Sequence, residues 1–206
     1  MNDHVADLVH RYPRLGECAV EIEDAYALLA GAYRNGNKVL MCGNGGSAAD
    51  AEHWSAELMK GFYKQRPLPD EVECRLTPDL AGNLQGALPT IPITGFNALS
   101  TAFANDNNIA FLFSQLVMGL GRRGDVLVAI STSGGSRNVL YAVQTAFAAG
   151  MKTVGLTGYH GGTLADLVDV CIKVPAKEVH LIQEYHLPVY HTISLMLEDE
   201  FFGDAG

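Results

Sequence analysis

Positive charge is scarce in this chain. Fourteen Lys and Arg stand against 23 Asp and Glu, a formal net charge of −9, so the electrostatic footprint of a nucleic-acid or anionic-lipid binder is missing. An anionic ligand must therefore be held locally, by backbone amides, hydroxyls or a metal ion. Cysteine is sparse as well. Cys18, Cys42, Cys74 and Cys171 form no C-x-x-C pair, and two of them sit in apolar runs, as free buried thiols of a reducing compartment do. No apolar run nears the length of a membrane span, and the opening MNDHVADLVHRYPRL lacks the apolar core of a signal peptide. These absences lead us to expect a cytoplasmic protein with no membrane and no nucleic-acid partner. Internal repeats, low-complexity tracts and linkers are also lacking, which favours a single domain over 1–206. Neither a Walker lysine nor a G-x-G-x-x-G is present, so nothing singles out a nucleotide.

What is there fits one generous globular unit: 48% hydrophobic and 18% charged residues over 206 positions. Residues 17–34 repeat apolar positions every three to four and stop at Asn-Gly-Asn, the pattern of an amphipathic helix. Beyond it, short β-rich runs at 38–42, 88–94, 125–130, 152–157 and 169–174 alternate with helical segments near 46–62, 109–120 and 136–149. A short helix is expected at 162–167 and a long one at 177–201. Strands that read as continuous apolar runs between helices imply a parallel sheet covered on both faces, an α/β sandwich. Residues 63–87, rich in Pro, Asp and Gly, read as surface loop.

Two loops share one plan. In CGNGGSAAD and ISTSGGSRNV an apolar strand runs into Gly, Ser, Thr or Asn and then into a helix. Free amides at a helix amino terminus attract anions, and the hydroxyls of Ser47, Ser131, Thr132, Ser133 and Ser136 can donate beside them. Ligands of parallel sheets gather at the carboxyl ends of the strands, where both loops lie. A phosphate is the natural guest. The alternative is a tight strand-to-helix turn with Ser as its cap.

Past the first loop, Asp50, His53 and Glu57 are spaced three and four apart and share one helix face, while Glu52 points elsewhere. His53 and Glu57 could chelate a metal from one helix, or form an exposed salt-bridged face. The last helix carries Gln183, His186 and His191. Gln183 and His191 are eight residues apart, about two turns plus 80°, and a bend at Pro188 could bring them onto one line. Both histidines could equally be core or interface residues.

These stretches together, with TAFAND, TVGLTGYHGG and IQEYHLPVYH, make the chain resemble the phosphoheptose isomerases of the sugar isomerase (SIS) fold, over nearly its whole length. The resemblance implies a three-layer sandwich around a five-stranded parallel sheet in flavodoxin-like order. It implies an aldose-ketose isomerase that converts sedoheptulose 7-phosphate to glycero-manno-heptose 7-phosphate through an enediol. Asn44, Gly45, Gly46 and Ser47 with Glu57, Asn105, Asp106 and Gln183 would contact the substrate, and Ser131, Thr132, Ser133 and Ser136 its phosphate. Glu57 and His191 would be catalytic. His53, Glu57, Gln183 and His191 would hold one zinc ion, with His186 a packing residue and Asp50 a supporting one. The resemblance further implies a homotetramer with sites between subunits and residues 1–36 in its central bundle. Other readings are a non-catalytic adaptor of the same fold, a sugar-phosphate sensor, and an isomerase of another phosphorylated sugar. The family usually has Asn at Gly135 and often Gly-Arg at Lys60-Gly61, and the 64–88 segment looks longer here. Those departures bear on which sugar is accepted.

Overall fold

The computed structural model describes residues 1–203. Five strands, β1 (Val39–Cys42), β2 (Thr90–Pro92), β3 (Val126–Ile130), β4 (Lys152–Thr157) and β5 (Val170–Lys173), form one sheet in the order β2-β1-β3-β4-β5. Every pairing is parallel. The order reverses between β1 and β3, the point at which sheets of this kind bind ligands.

Alternation of side chains along each strand sorts the core into two halves. Val39 and Met41 of β1, with Val126, Val128 and Ile130 of β3, face a layer built from α1 (Asp3–Arg11), α2 (Ala19–Arg34), α3 (Gly46–Met59) and α10 (Val179–Phe202). Leu40 and Cys42, with Leu127 and Ala129, face α7 (Leu112–Leu120), α8 (Arg137–Ala148) and α9 (Gly162–Leu167). Strands buried on both sides must be apolar throughout, which is why β1 and β3 read as unbroken hydrophobic runs. The three-layer expectation is borne out.

Several boundaries differ from the sequence reading. The helix expected at 17–34 starts at Ala19, behind a 3₁₀ turn over Pro13–Cys18, and α1 precedes it. Ile22, Ala25, Leu29 and Tyr33 of α2 are buried in their own chain, so this apolar stripe is already covered without a second subunit. The 63–87 segment is not plain surface loop. It contains α4 (Asp70–Glu73) and α5 (Pro78–Ala81), and Arg66 within it is wholly buried. A helix not foreseen, α6 (Asn97–Asp106), buries none of its residues and so carries little apolar periodicity to betray it. The last helix runs from Val179 to Phe202 with Pro188 inside it.

Candidate active site

The two glycine loops leave the ends of β1 and β3 side by side at the switch point. Gly45, at φ +55, is the N-cap of α3, and Ser136 is the N-cap of α8; neither makes a side-chain cap bond, and in the first turn of α8 Asn138 Oδ1 accepts from the Val139 amide at 3.0 Å. The capping alternative is therefore not realised. The Ser136 hydroxyl instead accepts from Ser131 Oγ at 3.0 Å, and Ser133 Oγ accepts from the Gly135 amide at 3.2 Å. Gly134 holds φ +62 because the loop folds directly onto the Gly161-Gly162 turn: a Cβ there would collide with the Gly161 carbonyl. The Gly134 carbonyl in turn accepts from the Leu164 amide at 2.9 Å. Helix ends without an N-cap side-chain bond, a line of hydroxyls and a tightly pinned turn are suited to holding an anion.

Asn44 and Asn138 tie the loops together. Asn44 Nδ2 donates to Asn138 Oδ1 at 2.9 Å, and Asn138 Nδ2 donates back to Asn44 Oδ1 at 2.8 Å. Sequence reasoning missed Asn138; its place two residues past the hydroxyl run was the available signal. Asn105 and Asp106 lie exposed at the end of α6, where Asn105 Nδ2 donates to Asp106 Oδ1 at 2.8 Å. Neither is hydrogen-bonded to either loop.

Deeper along α3, His53, Glu57 and His191 come together. His53 Nε2 is 3.1 Å from Glu57 Oε1, and the His53 and His191 rings meet edge-on with centroids 5.2 Å apart. Glu57 is largely buried, with 12% of its side chain exposed, and its second oxygen accepts from Lys60 Nζ at 3.2 Å. Tyr190 Oη lies 2.9 Å from His53 Nδ1 and its ring stacks on Trp54, so the orientation of the His53 ring is set from behind. Tyr190, too, escaped the sequence reading, because its neighbours in the motif drew the attention. Burial, reinforced by the charge of His53, lowers the His191 imidazole below its ordinary pKa, which keeps the ring neutral near pH 7. Its Nε2 is buried and finds no hydrogen-bond partner in the protein.

Gln183 does not join this group. Its amide lies against Gly46 at the start of α3, where a Cβ would collide with Gln183 Nε2. Among the described residues no three His, Cys, Asp or Glu stand close enough to hold a metal ion. The donors His53, Glu57 and His191 suit zinc by type, and the unpartnered His191 Nε2 is a free ligand atom, but the four-residue set is not assembled as a cage. His186 is fully buried, with Nδ1 at 3.9 Å from Asp50 Oδ2, a packing residue as expected. Burial pushes the Asp50 carboxyl up to about 6.

A parallel sheet with two hydroxyl-rich loops at its switch point, and a carboxylate and two imidazoles gathered further along α3, is the arrangement expected of a sugar-phosphate site of the SIS class. The SIS domain family matches residues 3–158. A phosphoheptose isomerase from Rhodospirillum rubrum is 40% identical over 186 residues, 90% of this chain and 89% of that one. Another, from Halorhodospira halophila, is 38% identical over all of this chain and 98% of its own length. The solved structure of the phosphoheptose isomerase of Neisseria gonorrhoeae superposes with a TM-score of 0.76 at 32% identity, covering 95% of each chain. The chain belongs to the phosphoheptose isomerase family of SIS-domain proteins.

Proposed function

We propose that this protein interconverts sedoheptulose 7-phosphate and the aldose glycero-manno-heptose 7-phosphate. The observation that carries the reading is the gathering of Glu57 and His191 on either side of His53, on the helix that begins at the first glycine loop, in a chain of this family. The Ser131–Ser136 loop grips the phosphate, while Asn44 to Ser47, with Asn138 behind them, line the sugar. Glu57 takes a proton from C1 of the ketose as O2 is protonated, giving the enediol. Loss of the O1 proton and protonation at C2 then give the aldehyde at C1 and the hydroxyl at C2. His191, held neutral by burial, serves the two oxygens as acceptor and, once protonated, as donor. Each positioned proton transfer contributes about 10² to 10⁴ in rate.

Zinc belongs to the same proposal. His53, Glu57 and His191 would hold it, with Gln183 joining after leaving Gly46, and the ion would supply a Lewis acid for the carbonyl oxygen. The homotetramer with sites between subunits rests on the resemblance, and light scattering at working concentration checks it.

An isomerase assay over C5 to C7 sugar phosphates tests the reading. Turnover of the heptulose 7-phosphate is expected, abolished in Glu57→Gln and in His191→Ala with the fold intact. Near-normal rates in either variant would overturn the roles. Tight binding without turnover of any sugar would favour an adaptor or sensor instead.

A further inference from the structure

We propose that the buried Arg66–Glu198 pair is a positioning device for the reaction, fixing the last turn of α3, and with it Glu57, against the part of α10 that carries His191. The inference rests on the assignment of Glu57 and His191 made above.

Glu57 sits in the last turn of its helix, two residues before Met59, and Lys60 already has extended backbone at φ −143, ψ 172. Final-turn carbonyls lack intrahelical partners, so a helix frays there unless something else bonds them. Arg66 does so. Its Nη2 donates to the Glu57 carbonyl at 2.8 Å and its Nη1 to the Leu58 carbonyl at 2.6 Å. A cation at this end of a helix also suits the macrodipole.

The third arm of the guanidinium, Nε, donates to Glu198 Oε1 at 2.8 Å. Glu198 lies seven residues, two turns, beyond His191 on α10, and it also accepts from the amides of Phe62, Tyr63 and Lys64 at 2.8, 2.8 and 3.0 Å. Phe62, fixed in this way, lays its ring on His191 with centroids 5.1 Å apart. One carboxylate thus anchors both the cap on Glu57 and the cover on His191. Burial would raise the Glu198 carboxyl, but the hydrogen bonds to Phe62, Tyr63, Arg66 and Lys64 outweigh it and hold it below the usual range.

Only 0% of the Arg66 side chain and 1% of the Glu198 side chain are exposed. A pair so deeply buried meets no substrate, so neither residue is catalytic. It is also a poor choice for stability alone, because an apolar pair of similar size often stabilises as well or better. What an apolar pair cannot do is bond two specific carbonyls and three specific amides. Geometry is the return on the desolvation cost.

The experiment compares Arg66→Lys and Glu198→Gln with the parent and with Glu57→Gln. Lysine keeps the charge but cannot span two carbonyls and a carboxylate with one planar fork. Glutamine keeps the shape of Glu198 and loses its charge. Steady-state kcat and KM are measured on the heptulose phosphate, with the folded fraction taken from near-UV circular dichroism. A loss of about 10- to 100-fold in kcat is expected in folded protein, with KM within about threefold of the parent, since displacements of about 1 Å cost rates of that order. A purely structural role would lower the folded fraction and leave kcat per folded molecule unchanged. That result overturns the proposal, as does kcat within threefold of the parent. Failure of both variants to fold overturns it too, by showing a staple for the whole chain. Activity in Glu57→Gln would instead sink the underlying site assignment.

Discussion

Asp50 and His186 face each other between α3 and α10, and their environment shifts them in opposite directions. Burial raises the Asp50 carboxyl from 3.8 to about 6 and lowers the His186 imidazole from 6.5 to about 4. Between about pH 4 and 6 the folded pair holds one proton, on the carboxyl, and the unfolded pair also holds one, on the imidazole. Equal proton counts mean that the pair adds no pH dependence to stability in this window. Asp50→Asn breaks the balance. The unfolded chain then binds one proton more at His186 than the folded chain, so stability rises with pH by about 1.4 kcal/mol per unit. From pH 4.5 to 6 that amounts to about 2 kcal/mol, out of about 3 kcal/mol available over the whole His186 shift. His186→Asn does the reverse: the folded chain holds the extra proton on Asp50, and stability falls by a similar amount over the same range. Urea unfolding followed by fluorescence reads both effects. Trp54, the single tryptophan of the chain, is fully buried and stacks on Tyr190 next to the pair. Protein concentration is held fixed so that any assembly contributes equally. Stability curves of Asp50→Asn and parent that stay parallel between pH 4.5 and 6 would refute the reasoning.

Gly134→Ala should damage the phosphate loop, since φ +62 strains an alanine and its methyl meets the Gly161 carbonyl. A loss of about 2–4 kcal/mol in stability and a raised KM for phosphorylated sugar are expected; an unchanged melting temperature with unchanged KM would count against the cradle. For the metal, protein purified without added zinc should carry about one equivalent by atomic emission, and Gln183→Ala should weaken its retention on dialysis against a chelator. Metal-free protein with full activity would remove zinc from the reaction.

Much of this molecule can be read from its sequence, and the parts that can share a physical property. The sheet was legible because five apolar runs each lead to or from a helix, and being buried on both faces forces that composition on β1 and β3. The two glycine and serine loops were legible because each directly follows an apolar strand and leads into a helix. Arg66 and Glu198 were not, since residues 132 apart in the chain meet only through the fold. The 63–87 segment looked like loop because its two helices are single turns, too short for periodicity to show.

The placement of Gln183 follows from how α3 and α10 lie together. Gly46 touches Gln183, Asp50 faces His186, His53 meets Tyr190, and beyond the helix end Phe62 binds Glu198. Each contact joins residues 136 or 137 apart, a constant offset that makes the two elements run side by side in the same direction. On such a ladder Gln183 and His191 occupy different rungs, about two turns apart along α10. Spacing alone could not bring them to one ion, and the helix continues through Pro188. The same packing brings His53, Glu57 and His191 near one another, because His191 is next to the Tyr190 rung and Glu57 is one turn past His53. The proposed proton-transfer pair therefore follows from the packing of two helices, whereas the Gln183 amide lies against Gly46, about two turns from His191 along α10.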